Sequence, residues 1–134
     1  MLTAALLTTA LLFGGMVLYS VGFGAFLFTA LPSDVAGSTI RRAFPLFYLF
    51  VIGTAAVATA LTWPFDPLAA GLLAAIAVTT LPTRQILLPA INRATDTGAL
   101  ARFDALHGLS VAITVAGIAL TGVVLARFAG GPAA

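Results

Sequence analysis

The chain has 134 residues and ten formal charges, six Arg and four Asp, with no Lys and no Glu. Hydrophobic residues make up 61% and charged residues 7%, whereas soluble domains carry about a quarter charged residues. So few charges cannot cover a water-soluble globule, and disorder requires the opposite balance, so the composition is that of a small, single-domain integral membrane protein.

A net charge of +2 is too small for a nucleic-acid surface, and no basic stretch is interleaved with stacking aromatics. Zero cysteines exclude disulfides, thiolate metal centres and a cysteine nucleophile. The single histidine, His107, rules out a multi-His metal site within one copy.

Charged residues divide the chain into uncharged runs Met1–Ser33, Ala43–Phe65, Pro67–Thr83 and Ala105–Ala126, of 33, 23, 17 and 22 residues. A helix needs about 20 apolar residues to cross the hydrocarbon core. The third run is short, but Arg84 can snorkel and Gln85-Ile86-Leu87-Leu88 continues its apolar character. The prediction is an all-α integral membrane four-helix bundle, one domain over 1–134, with helices over about 4–29, 44–63, 67–88 and 105–127. The first run has no basic n-region and is too long for an h-region, so it is expected to be a span and not a cleaved signal. Continuous apolar runs exclude a β-barrel, whose strands alternate every second residue.

In chain order, helix 1 carries Thr8, Leu12, Gly15, Tyr19, Gly22 and Phe26 on one face, with Gly14 and Gly24 beside it. Small residues let helices approach closely in lipid, so Gly15, Gly22 and Gly24 are expected to be packing positions. Ser33-Asp34 opens the next connection with helix-start signals, Ser33 as the cap, and predicts a short interfacial helix. Pro45 suits the first turn of helix 2, where a missing N–H costs nothing. Pro82 predicts a kink near the end of helix 3. Helix 4 bears the stripe His107, Ser110, Thr114, Gly117, Thr121, with Thr114 and Gly117 as packing positions.

Arg41 and Arg42 fall between helices 1 and 2, and Arg84, Arg93 and Arg102 between helices 3 and 4. The turn Trp63-Pro64-Phe65-Asp66-Pro67 has no basic residue, and only Arg127 lies at its end of the bundle. The positive-inside rule therefore places loops 30–43 and 89–104 in the cytoplasm of a bacterial inner-membrane protein and both termini outside. Trp63 and Phe65 suit the outer interface.

His107 lies about one turn inside the end of helix 4, and Tyr48 lies at similar depth on helix 2. With Arg102, Arg93, Asn92 and Ser110 they form a candidate polar cluster at the cytoplasmic face. It is either a cap on the bundle or a ligand site, since ionisable intramembrane groups tend to be functional. No catalytic set is present: the four Asp are in loops, and a Ser110–His107 pair has neither third member nor oxyanion hole. The protein is not expected to be an enzyme, and no cofactor is predicted. Met16 is too far from His107 to complete a haem site, and Met1 and Met16 are too few for copper shuttling.

Two stretches carry a family pattern. The first runs Gly14-Gly15-Met16, Gly24-Ala25-Phe26-Leu27-Phe28-Thr29-Ala30-Leu31-Pro32 and Arg41-Arg42-Ala43-Phe44-Pro45-Leu46-Phe47-Tyr48. The second is Arg102-Phe103-Asp104-Ala105-Leu106-His107-Gly108-Leu109-Ser110. Together they resemble the transmembrane-protein-205-like family of small four-helix membrane proteins. Phe44, Pro45, Phe103, Leu106 and Gly108 fall on its motifs, and Pro89 matches its proline after helix 3. Thr83 stands where the family often has an asparagine. The resemblance implies a four-helix bundle whose motifs meet at one face. Animal members are associated with platinum-drug resistance. The family is distantly similar to copper-resistance-D-like membrane proteins, some of which handle copper or haem. The extra His and Met residues for such roles are absent, so only the fold carries over.

The expected partners are the lipid bilayer and either another membrane protein or a second copy, with no nucleic acid. The leading expectation is an accessory subunit that acts through its small-residue faces. One alternative is a transport or resistance protein with a solute or metal site around His107. Another is a haem- or quinone-associated redox module formed between copies.

Overall fold

The computed structural model describes residues 2–130 and is all-α among them, with no strands. Four helices are long and apolar enough to span a membrane: α1 Leu2–Ala30, α2 Ser33–Thr62, α3 Pro67–Asp96 and α4 Leu100–Ala129. At ~1.5 Å rise per residue, thirty residues reach about 45 Å, so each helix outruns the ~30 Å hydrocarbon core. The protein is therefore an integral membrane four-helix bundle. Met1, one of the two methionines considered for copper, lies outside the described residues.

The helices begin and end for local reasons. Leu31 is extended before Pro32, as a pre-proline residue prefers, and α2 starts at once. Asp66 caps α3 by accepting a hydrogen bond from the Ala69 amide at 3.2 Å, with Pro67 in the first turn. Gly98, at φ +70°, closes α3. The Gly98 amide donates to Thr95 and the Ala99 amide to Ala94, a Schellman closure that needs a left-handed residue.

Several expectations are corrected. The connection before helix 2 is not a separate interfacial helix; it is the first part of one continuous α2. Ser33 is the first helical residue, and its side chain caps nothing. Pro45 is consequently inside the helix and not in its first turn, which removes the amide that would bond the Arg41 carbonyl. Helix 3 runs on to Asp96 instead of ending near 88, and α4 begins at Leu100 instead of 105. Nothing before Gly98 stops the one, and Ala, Arg and Leu favour the other.

Two helices contain a wider, π-type turn, Leu18–Phe23 in α1 and Thr83–Leu87 in α3. The second lies between Pro82 and Pro89, whose rings remove two amides from the ladder. The buried stripe of α1 is Ala5, Thr9, Leu12, Met16 and then Leu27. Of the expected stripe, Leu12 is buried and Gly15 and Tyr19 meet α2, but Phe26 is 63% exposed and Gly22 is exposed.

Each helix packs on its chain neighbours, and α4 returns to α1. The end bearing Trp63 and Asp66 is closed by small residues: Ala5, Ala55, Ala58, Ala69 and Ala70 are fully buried. Near the middle, Phe47, Leu12, Leu73 and Ile76 fill the core, and Met16 of α1 rests against Gly117 of α4. Towards the arginine-rich end the packing changes. Leu2–Val17 packs against both α2 and α4, but Gly24–Ala30 packs on α2 and makes little contact with α4.

Among the described residues, one ion pair ties each end. Arg41 of α2 donates twice to Asp96 of α3, at 2.7 and 2.8 Å. Arg127 of α4 donates twice to Asp66, at 3.1 and 3.0 Å. The first pair puts the α1–α2 and α3–α4 connections at one end of the molecule; the second puts the α2–α3 turn beside the end of α4.

Candidate functional site: a cavity at the arginine-rich end

Where α1 and α4 part, they border a cavity of about 510 Å³ lined by all four helices. α1 contributes Ser20, Gly24, Ala25 and Phe28, and α2 contributes Ile40, Phe44 and Tyr48. α3 adds Leu88, Ile91 and Asn92, and α4 adds Phe103, His107 and Ser110. The lining is mostly apolar with a few polar groups, and the volume is that of a small-molecule site.

Local structure positions each polar group. Ser110 turns its hydroxyl back onto the His107 carbonyl at 2.7 Å. Ser20 likewise bonds the Met16 carbonyl within the wide turn of α1. The Tyr48 hydroxyl is turned towards Ser110 and Thr114. His107 is exposed, and its ring lies parallel to that of Phe103 one turn earlier, with centroids 5.4 Å apart.

An aromatic cluster forms the wall between α1 and α2. Tyr19 stacks on Phe47 at 4.9 Å and meets Phe44 edge-on, and Phe44 reaches Tyr48 at 5.9 Å. The Tyr19 hydroxyl donates to the Ala43 carbonyl at 3.0 Å, a bond between helices in a bundle whose other hydroxyls mostly bond their own helix. Such offset and edge contacts add to the packing of the rings.

The structure brings His107, Tyr48, Ser110 and Asn92 to one cavity but separates the two loop arginines from it. Arg102 is exposed on the first turn of α4 and lines neither the cavity nor its neighbour. Arg93 lines a second, more open groove of about 490 Å³ with Arg41, Arg84, Pro45 and Asp96. Arg41, Leu88 and Asn92 line both, so groove and cavity are contiguous.

Of the family-motif positions, Phe44 and Phe103 line the cavity and Pro45 the groove, whereas Leu106 and Gly108 line neither. Gly15 and Gly117 are true close approaches, with Phe50 and Met16 standing where a Cβ would be. Gly22 and Gly24 are not: only its own helix's Leu18 comes near Gly22, and a Cβ on Gly24 would meet nothing within 4 Å. Gly24 is instead a small residue on the cavity wall. Thr114 is half-buried beside Tyr48.

Sequence reasoning missed Arg84 and the α1 wall. Arg84 donates from Nε to the Pro45 carbonyl at 3.0 Å and from Nη1 to Gln85 at 2.8 Å. The signal was there, since an arginine ending an apolar run beside a proline has a carbonyl to find. No cluster of three metal-ligating side chains occurs among the described residues.

Fold and cavity together define a small four-helix membrane protein with a chamber at one end. The chain belongs to the family described as a domain of unknown function, DUF4149, matched over residues 7–100. That match spans the first three helices and stops where α4 begins, so His107 and Ser110 lie beyond it. No curated protein and no solved structure matches the chain.

Proposed function

We propose that this protein binds a small amphiphilic ligand in the cavity, with the arginine-rich end in the cytoplasm, and acts in transport or resistance and not in catalysis. The observation that carries this is the convergence of His107, Tyr48, Ser110 and Asn92 on a mostly apolar chamber lined by all four helices. A chamber with a few convergent polar groups is how small-molecule sites are built.

Gly24 gives the test. Its Cβ would meet nothing within 4 Å and it lies on the cavity wall, so Gly24→Leu narrows the chamber. Fluorine-19 NMR of the purified chain with fluoroindole should show saturable binding. Gly24→Leu should abolish it and His107→Ala weaken it, with helix content unchanged. Binding that survives Gly24→Leu, or none in the wild type, rejects this function.

A second reading is an accessory subunit that packs on another membrane protein or a second copy. It is favoured by Gly14, Gly53, Gly71 and Gly108, all exposed and with no atom within 4 Å of a Cβ. Such positions let a partner helix approach closely. A strictly monomeric particle without companions, purified in mild detergent, would exclude it.

A further inference from the structure

The groove beside the cavity carries three arginines, Arg41, Arg84 and Arg93, against one carboxylate, Asp96, a balance of +2 (three minus one). Arg41 and Asp96 satisfy one another. Arg84 is anchored through Nε and Nη1, which leaves its other guanidinium nitrogen without a bond among the described residues. Arg93 has no ion pair among the described residues, where Arg41–Asp96 and Arg127–Asp66 are the two that form. The groove therefore offers two guanidinium groups from one helix to an anion, with Asn92 beside them.

This cationic groove and the mostly apolar cavity adjoin one another, with Arg41, Leu88 and Asn92 lining both. A ligand that fits both halves has an anionic head and an apolar tail. Neither a free anion nor a neutral apolar solute uses both. Basic pockets between transmembrane helices suit lipid head groups, and guanidinium groups pair well with phosphate oxygens.

We propose that the adjoining groove and cavity hold one anionic phospholipid. Its phosphate sits at Arg84 and Arg93, and one acyl chain enters the chamber between α1 and α4, past Leu88 and Ile91 towards Phe28. This rests on the cavity being a ligand site and names the ligand class.

The full chain is reconstituted in phosphatidylcholine nanodiscs containing phosphatidylglycerol, extracted, and weighed by native mass spectrometry. One retained phosphatidylglycerol per chain is expected, and retention of phosphatidylcholine in its place overturns the proposal. Arg93→Gln removes no internal bond and should lower phosphatidylglycerol retention roughly fivefold, the scale of one basic residue against an anionic membrane. Arg84→Gln should do the same, while Arg42→Gln, outside the groove, should not.

Retention unchanged by Arg93→Gln and Arg84→Gln overturns the head-group assignment and leaves the chamber intact as a site. Retention unchanged by Gly24→Leu removes the acyl chain from the chamber. Full displacement by millimolar inorganic phosphate shows a free-anion site and also overturns the proposal.

Discussion

At Gly15 a Cβ would stand 2.7 Å from two atoms of the Phe50 ring, and at Gly117 it would stand 2.8 Å from the Met16 terminal methyl. The distances match, but the neighbours do not. The Phe50 ring is rigid and must swing as a whole to clear a Cβ, whereas the methionine terminus rotates about several bonds. Against either clash stands the gain of about 0.5–1 kcal/mol when alanine replaces a helical glycine. Gly15→Ala should therefore lose about 1–2 kcal/mol, the lower part of the overpacking range. Gly117→Ala should be near neutral. Gly53→Ala, with nothing within 4 Å of its Cβ, should gain about 0.5–1 kcal/mol. Unfolding in mixed micelles titrated with dodecyl sulfate ranks the three, and a Gly117→Ala loss as large as that of Gly15→Ala contradicts this account.

Among the elements, the α2–α3 turn concentrates the most work in one side chain. Asp66 caps α3 and pairs with Arg127 at the far end of α4. The Arg127 guanidinium, opposed by burial and supported by the Ala69 and Leu68 amides, holds its carboxyl below the usual carboxylate range. A carboxyl depressed in the folded state adds stability that is complete above its unfolded pKa, about 3.9, and is lost as pH falls through the folded value. The stability gap between wild type and Asp66→Asn should thus be constant at neutral pH and close on acidification below about pH 4. Asn keeps the capping oxygen, so Asp66→Ala should fall about 1 kcal/mol below Asp66→Asn. A gap that persists to low pH separates the pair from the stability it is credited with here.

The same scale shows what the sequence displays and what it hides. Spacing of charges is enough to find four spans, because an uncharged run of twenty or so residues has few other uses. The ends are hidden because helix continues through Ser33–Arg42 and Leu100–Asp104, where the membrane no longer dictates composition and only a left-handed glycine or a proline stops the coil. The face of α1 is hidden for a different reason. A strict three-four spacing assumes an unbroken α-helix, and the wide turn at Leu18–Phe23 lies within the stretch where that spacing was applied. His107 and Tyr48 are legible as a pair because depth along a helix follows from residue count, and Ser110 follows one turn after His107. Asn92, Arg93 and Arg102 join them only on sequence proximity, and once α3 and α4 extend into the connection, Asn92 alone of the three lines the cavity.

For the whole molecule, the two ion pairs fix which connections share an end, and the orientation of that end follows from charge alone. Arg41–Asp96 joins both longer connections at one end, so Arg41, Arg42, Arg84, Arg93 and Arg102 gather there, and Arg127 stands alone at the other beside Asp66. A five-to-one division is large for so small a protein, and translocating the arginine-rich end would be costly. The expected orientation has that end, the groove and the chamber in the cytoplasm. The chain contains no cysteine, so one introduced thiol reports its side without background. Thr97→Cys sits exposed in the α3–α4 turn and Pro64→Cys in the α2–α3 turn. In intact cells a membrane-impermeant maleimide should label Pro64→Cys at once and Thr97→Cys only after the membrane is opened. The reverse pattern would turn the groove outward and require that its arginines meet an anion of the outer leaflet or of the medium.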